Sequence, residues 1–134
     1  MNHSDDLGKL LLRLTIGLLL SMHGLFKLAN GIDPITALVV AQGWLTWVAF
    51  GVFIGEIIAP ALLIIGVLTR VGALVIVVNM GLAIYLAHAA QILKIGSTGG
   101  WALELEGLFL LGALTVALLG AGRFSLGGSH GRLN

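Results

Sequence analysis

Four long apolar runs, separated only by short polar or glycine-containing segments, dominate this chain of 134 residues. They cover residues 7–28, 44–68, 71–93 and 101–119. A helix needs about 20 predominantly apolar residues to cross the hydrocarbon core of a bilayer, and it satisfies its own backbone hydrogen bonds there. The runs therefore predict an all-α fold, a transmembrane four-helix bundle with one helix for each run.

The composition agrees with a lipid bilayer as the surrounding solvent. Hydrophobic residues make up 58% of the chain and charged residues 10%, and the mean hydropathy is +1.08. A domain of this size has too little interior to hide so much apolar surface from water. The net charge of +1 gives no reason to expect a nucleic-acid partner. The absence of cysteine excludes disulfides, thiolate metal sites and thiol–disulfide chemistry by this chain.

The chain is expected to form a single membrane domain over residues 1–134, without a separate soluble domain. Residues 120–134 are polar and rich in glycine, which predicts a loosely ordered tail. A turn is predicted around Pro34. The moderately apolar residues 35–43 that follow it indicate either a short interfacial helix or a re-entrant segment.

Small residues and a proline distinguish the second run. Gly51, Gly55 and Ala59 recur every four residues. They form a ridge at which another helix can approach closely, either within the chain or between copies of it in a homo-oligomer. Pro60 lacks the N–H group that would bond to the carbonyl of Glu56. We therefore predict a bend near Glu56 and a free carbonyl beside its carboxyl group.

Charge and tryptophan positions orient the predicted bundle. Four spans place both termini on one side, and an excess of basic residues marks the cytoplasmic side. The basic residues on the side of the termini are Lys9, Arg13, Arg70, Arg123 and Arg132, against Lys27 and Lys94 on the other. Both termini are thus predicted to be cytoplasmic, with the tryptophans at the outer interface. Arg13, Arg70 and Arg123 are expected to bind lipid headgroup phosphates.

Ionisable residues inside the apolar runs are the candidate functional residues. Charges within a membrane usually face the protein interior, form pairs and mark functional sites. His23 and Lys27 lie four residues apart and so share a helix face, and the other runs add Glu56, His88 and Glu106 to the outer half of the bundle. Structural alternatives stay open: Lys27 can extend to the interface, Glu56 can pair with Lys27 or His23 in a purely structural role, and His88 can be interfacial.

Glu104 and Glu106 cannot both face one site, because they lie roughly 200° apart on a helix. Glu106 shares its face with Ala102, Ala113 and Ala117, the kind of small residue expected at a helix–helix interface. Glu104 shares its face with leucines. The pattern favours Glu106 as the inward-facing residue, with Glu104 reaching for headgroups or water.

These residue types suit a lipid-soluble quinone, whose two carbonyl oxygens need proton partners. A buried histidine and a buried carboxyl group can supply protons, a lysine can polarise an oxygen, and a tyrosine can stack on the ring. The candidate catalytic residues are therefore His23, Glu56 and Glu106. The candidate ligand-binding residues are His23, Lys27, Glu56, Tyr85, His88 and Glu106.

Other cofactors are not expected. The Glu-x-x-His spacing of a di-iron bundle is absent from the sequence, as is a glycine-rich nucleotide loop after a strand. No metal, NAD or FAD is therefore predicted. His23 and His88 have the chemistry of haem ligands, but nothing else in the sequence supports a haem.

Five motifs follow one another along nearly the whole chain. They are Arg13 to Gly17, His23-Gly24-Leu25-Phe26-Lys27-Leu28, Gly55-Glu56 with Leu62–Arg70, Met80–His88, and Gly120–Leu126. In this order and spacing they resemble the DoxX family of small four-helix membrane proteins. Ala121 and Gly127 depart from the family's usual Gly-Pro-Gly and Ser-Leu-Asp in the tail.

The resemblance implies a multi-pass protein of a bacterial or archaeal cytoplasmic membrane with a role in quinone-linked redox metabolism. The family name comes from a subunit of a thiosulfate:quinone oxidoreductase, so a soluble or membrane-bound redox partner is implied. Whether this chain is itself catalytic stays open. Two alternatives also stay open: a non-catalytic membrane scaffold for a soluble redox enzyme, and a proton or small-solute pathway, which a glutamate beside a proline in mid-membrane would suit.

Overall fold

The computed structural model describes residues 3–128 and 131–134. Within these residues it has five helices: α1 (His3–Asn30), α2 (Asp33–Ala41), α3 (Thr46–Ile65), α4 (Thr69–Gln91) and α5 (Glu104–Leu119). The all-α prediction is confirmed. Among the described helices, α1, α3 and α4 are long and apolar enough to cross a membrane.

α5 is shorter than the fourth apolar run. It has 16 residues, which correspond to about 24 Å of helix against a bilayer core of about 30 Å. The residues before it, 101–103, lie in a loop, where the indole of Trp101 donates a hydrogen bond to the carbonyl of Ile92, 2.7 Å away. Length and apolarity therefore identify three of the four predicted runs as candidate spans.

The four longer helices contact one another in a ring. α1 packs against α3 and α5, and α4 packs against the same two helices. An apolar core fills the space between them, and small residues within it allow close backbone approach. Its buried members are Ile16, Leu20, Ala59, Leu63, Ala73, Ile76, Met80, Phe109, Ala113, Val116 and Ala117.

α3 is interrupted by a π-helical segment, Ile54–Ile58. The N–H of Ala59 bonds to the carbonyl of Ile54, one residue further back than in a regular α-helix. Pro60 has no N–H to continue the regular pattern. The irregularity predicted near Glu56 thus takes the form of a π bulge, a feature found mostly at functional sites.

α2 is the short helix predicted after Pro34, which lies in its first turn. It packs on the beginning of α3 through a second apolar cluster made of Ile32, Val39 and Ala49. It also contacts a π-helical segment of α4, Ile84–His88. α2 thereby covers one side of the space between α3 and α4.

Arg13 does not face lipid headgroups, so this part of the headgroup prediction is wrong. Its side chain is buried, with 1% of its surface exposed. The guanidinium donates one hydrogen bond to the carbonyl of Leu63, 3.1 Å away, and another to the carbonyl of Phe124. Helix ends leave carbonyls without partners, and Arg13 satisfies one of them at the end of α3. The side chain therefore ties α1, α3 and the tail together.

The tail also differs from the expected loose order over 120–128 and 131–134; residues 129 and 130 lie outside the described part. The side-chain oxygen of Asn134 accepts a hydrogen bond from the Thr69 hydroxyl, 2.9 Å away. The N–H of Gly127 bonds to the carbonyl of Gly66 at 2.9 Å. Asp6, buried in α1, accepts a bond from the N–H of Arg123. Polar side chains of the helix ends thus hold the glycine-rich chain in place.

Candidate ligand-binding site

A cavity of about 720 Å³ opens between α2, α3 and α4, beside the end of α1. Its volume falls in the range of about 300–1,000 Å³ that small-molecule sites occupy. Apolar side chains form most of its wall, including Ile35, Leu38, Trp44, Trp47, Val78, Leu82 and Leu86. Its few polar members are Lys27, Glu56, Asn79 and His88. An apolar cavity with a small polar set is the usual form of a ligand site.

Lys27 and Glu56 form an ion pair at the cavity. The Lys27 ammonium lies 2.5 Å from each carboxylate oxygen of Glu56. The Glu56 side chain is 4% exposed and that of Lys27 is 28% exposed. A buried carboxylate requires such a partner, whereas the lysine also reaches the surroundings. The sequence-based grouping of these two residues therefore agrees with the geometry.

Gly24 allows the ion pair to form, because it brings α1 close to the π segment of α3. A methyl group added at Gly24 would overlap the carbonyl oxygen of Glu56 and the side chain of Ile57. The backbone of α1 therefore lies directly against the carbonyl that Pro60 leaves without its usual α-helical partner. This contact fixes the distance that the Lys27 side chain has to bridge.

Asn79 is a cavity residue that the sequence reasoning missed. Its side chain is seated against Gly55, where an added methyl group would overlap the amide. The Nδ2 atom is buried and has no hydrogen-bond partner within the described residues. An unsatisfied buried polar group costs roughly 1–3 kcal/mol. Gly55, predicted to allow the close approach of another helix, makes room for this amide of α4.

His88 joins the cavity to Glu106. It lines the cavity at the end of the π segment of α4, and its Nε2 lies 3.6 Å from Oε1 of Glu106 on α5. The Nδ1 atom is buried without a partner in the described part of the chain. Glu106 is not part of the cavity wall. His88 therefore lies between the cavity and the carboxyl group of Glu106.

The structure does not bring His23 to the cavity. The residue is exposed, and its ring packs edge-on against Phe109 of α5 at a centroid distance of 5.8 Å. Residues four apart on a helix differ by only about 40° in direction, but the long Lys27 side chain turns toward Glu56, on the Gly24 side. The shorter His23 side chain remains on the α5 side.

Tyr85 lies outside the cavity wall. Its ring stacks on Trp44 at 6.5 Å with an interplanar angle of 18°, and Trp44 does line the cavity. Tyr85 therefore contacts the cavity wall through Trp44. Within the described residues, no three His, Asp or Glu side chains lie close enough together to hold a metal ion.

A comparison with protein families decides the classification. The family model for DoxX matches residues 8–89. The chain belongs to the DoxX family. This confirms the resemblance read from the motifs, and together with the apolar helices it indicates an integral membrane protein. No curated protein and no solved structure matches the chain significantly. The matched segment includes Lys27, Glu56, Asn79 and His88, and α5 lies outside it.

Proposed function

We propose that this DoxX protein binds a quinone in the cavity between α2, α3 and α4, as a subunit of a membrane redox system. The observation that carries the proposal is the cavity itself. It combines an extended apolar wall with the Lys27–Glu56 pair and two polar side chains, Asn79 and His88. Each of these two carries a buried nitrogen that has no hydrogen-bond partner among residues 3–128 and 131–134. Such a site accepts an apolar ring that bears oxygen acceptors.

The polar residues have separable roles in this proposal. A bound quinone supplies two-electron redox chemistry that the side chains of this protein do not. Lys27 offers ammonium donors to a ligand oxygen, since a lysine has three donors and no acceptor. Glu56 holds that ammonium in position through both carboxylate oxygens. His88, next to Glu106, is the general acid–base group at the cavity.

We further propose the arrangement in the membrane. α5 crosses the bilayer with α1, α3 and α4 as a four-helix bundle, and both termini lie in the cytoplasm of a bacterium or archaeon. Support comes from the ring of helix contacts. The excess of basic residues on the side of the bundle that carries both termini also supports it. Arg70 and Arg123 bind lipid headgroups in this arrangement. Arg123 is exposed, which leaves its guanidinium accessible to phosphates.

Two glycines provide a matched test of the cavity. A methyl group added at Gly51 or at Gly81 meets no atom within 4 Å, and both residues lie in α-helical segments. Gly51 lines the cavity and Gly81 does not. The purified protein in lipid nanodiscs is titrated with a short-tailed benzoquinone. Gly51→Leu is expected to weaken binding at least tenfold, whereas Gly81→Leu is expected to bind like the unaltered protein.

The result also separates the proposal from its alternatives. Equal binding by both variants, or no binding by the unaltered protein, would reject a quinone site in this cavity. Recovery of a soluble redox enzyme from native membranes by a protein that binds no quinone would favour a non-catalytic scaffold. Proton or solute flux into tight vesicles would favour a transport pathway. The same preparation reports whether copies associate through exposed apolar surfaces as a homo-oligomer.

A further inference from the structure

The amide of Asn79 occupies an unusual position for a polar group in an apolar helix. Its side chain lines the cavity, and it lies in the part of α4 that faces the π segment of α3. Gly55, next to Glu56, is the residue against which the amide is packed, and no larger residue would leave room for it. Gly55 of α3 therefore provides the space for this side chain.

The hydrogen bonds of Asn79 are incomplete. An asparagine amide has two N–H donors and one carbonyl acceptor, and its Nδ2 atom is buried with no partner among the described residues. A buried donor without a partner destabilises the protein unless something supplies an acceptor. Rotation of the amide about its last side-chain torsion exchanges its two ends. Asn79 lines the cavity, so a ligand oxygen bound there is the acceptor to which this amide can donate.

We infer that Asn79 is the residue that recognises a carbonyl oxygen of the bound ring, and so determines which apolar molecules the cavity selects. The inference rests on the proposed function. Lipid tails and hydrocarbon rings fit the apolar wall equally well, but they have no acceptor for Nδ2. The ligand class is therefore an apolar ring with at least one exocyclic carbonyl oxygen, and the reaction class does not follow from this contact.

The test compares two ligands of nearly equal shape. Tetramethyl benzoquinone carries two carbonyl oxygens, and hexamethylbenzene has methyl groups in their place. Binding of each is measured to the protein in nanodiscs, with empty nanodiscs correcting for partition into lipid. Asn79→Leu keeps a similar volume without a donor, and Asn79→Asp keeps the shape and loses the amide nitrogen. Thr115→Val, on an exposed position of α5, serves as the control.

The expected result is a change in preference rather than in overall binding. The unaltered protein and Thr115→Val prefer the quinone, and Asn79→Leu and Asn79→Asp reduce that preference by about three- to tenfold, the effect of one neutral hydrogen bond. The ratio of the two dissociation constants does not change when a variant contains less folded protein. Thermal unfolding of each variant confirms that it folds.

Two other results have different meanings. If both Asn79 variants keep the full preference for the quinone, Asn79 does not recognise the carbonyl, and the quinone site itself stands. If the unaltered protein binds both ligands equally, the result rejects both the recognition by Asn79 and the proposed quinone function.

Discussion

Lys27 and Glu56 join the last turn of α1 to the π segment of α3, with the ammonium 2.5 Å from both carboxylate oxygens. The two side chains differ in burial, and therefore in how well each tolerates the loss of its partner. Glu56 is almost fully buried, whereas Lys27 is partly exposed. The two residues therefore depend on the ion pair to different degrees. The carboxylate of Glu56 has no other charged partner within the described residues, whereas Lys27 also has access to its surroundings.

Lys27→Met is expected to destabilise the protein more than Glu56→Gln. The first change leaves a buried carboxylate alone, and loss of one partner from a buried pair costs about 3–5 kcal/mol. The second leaves a lysine that can extend outward, at a cost of about 1 kcal/mol. Thermal unfolding followed by tryptophan fluorescence measures both. The double variant should be more stable than Lys27→Met; a double variant less stable than either single one would contradict this account.

Gly24→Ala is expected to separate α1 from α3. The added methyl group meets the Glu56 carbonyl oxygen and the side chain of Ile57, and overpacking of this kind costs about 1–3 kcal/mol. Gly8→Ala is the matched control, because Gly8 lies on the same helix and an added methyl group there meets nothing. Its Tm should stay the same or rise, since alanine favours helix by about 1 kcal/mol. Similar Tm changes for both variants would rule out the close contact.

The sequence predicted the helical class and the irregularity in α3, because these follow from apolar length and proline chemistry. It left the partner of Glu56 open between Lys27 and His23. It did not predict that Asn79 and His88 would line one cavity. On a regular helix these residues point about 180° apart. The π segment Ile84–His88 turns less per residue than an α-helix and brings His88 back toward the side of Asn79. Nothing in the sequence marks that segment, as no proline follows it closely.

The position of His23 could not be predicted for a different reason. Its spacing from Lys27 places both on one helix face, but side-chain length decides which neighbour each contacts. The burial of Arg13 was also hidden, because its acceptor Phe124 lies in a tail whose glycine content predicted loose order. In both cases the deciding contact joins residues far apart in the chain, which helical periodicity does not report.

Arg13→Met is expected to release the tail. The buried guanidinium joins the carbonyls of Leu63 and Phe124, so its loss leaves both without this donor and should expose the bond after Arg123 to trypsin. We expect cleavage there to accelerate at least fivefold, as followed by mass spectrometry. Arg13→Lys should give an intermediate rate, since lysine lacks the planar fork of arginine. Lys94→Met, in an exposed position of the loop before α5, should cleave like the unaltered protein. Equal rates in all four proteins would contradict the role of Arg13.

The two histidines should contribute unequally to ligand binding. His88 lines the cavity and His23 packs on Phe109 outside it. We expect His88→Leu to weaken binding of a short-tailed benzoquinone several-fold more than His23→Leu, with dissociation constants measured in nanodiscs. Loss of an edge-on aromatic contact costs His23→Leu about 1 kcal/mol of stability, and its thermal unfolding checks that. If His23→Leu weakened binding more than His88→Leu, the binding site would include His23 and not His88.

Tryptophan fluorescence can locate the ligand directly. Trp44 and Trp47 line the cavity, whereas Trp101 does not and donates its indole hydrogen bond to the carbonyl of Ile92 in the loop before α5. A quinone accepts an electron from an excited indole at short range, so binding in the cavity should quench Trp44 and Trp47. The double variant Trp44→Phe with Trp47→Phe should lose most of the saturable quenching, and Trp101→Phe should keep it. If instead Trp101→Phe removes the saturable part, the quinone binds near the loop before α5 and the cavity is not its site.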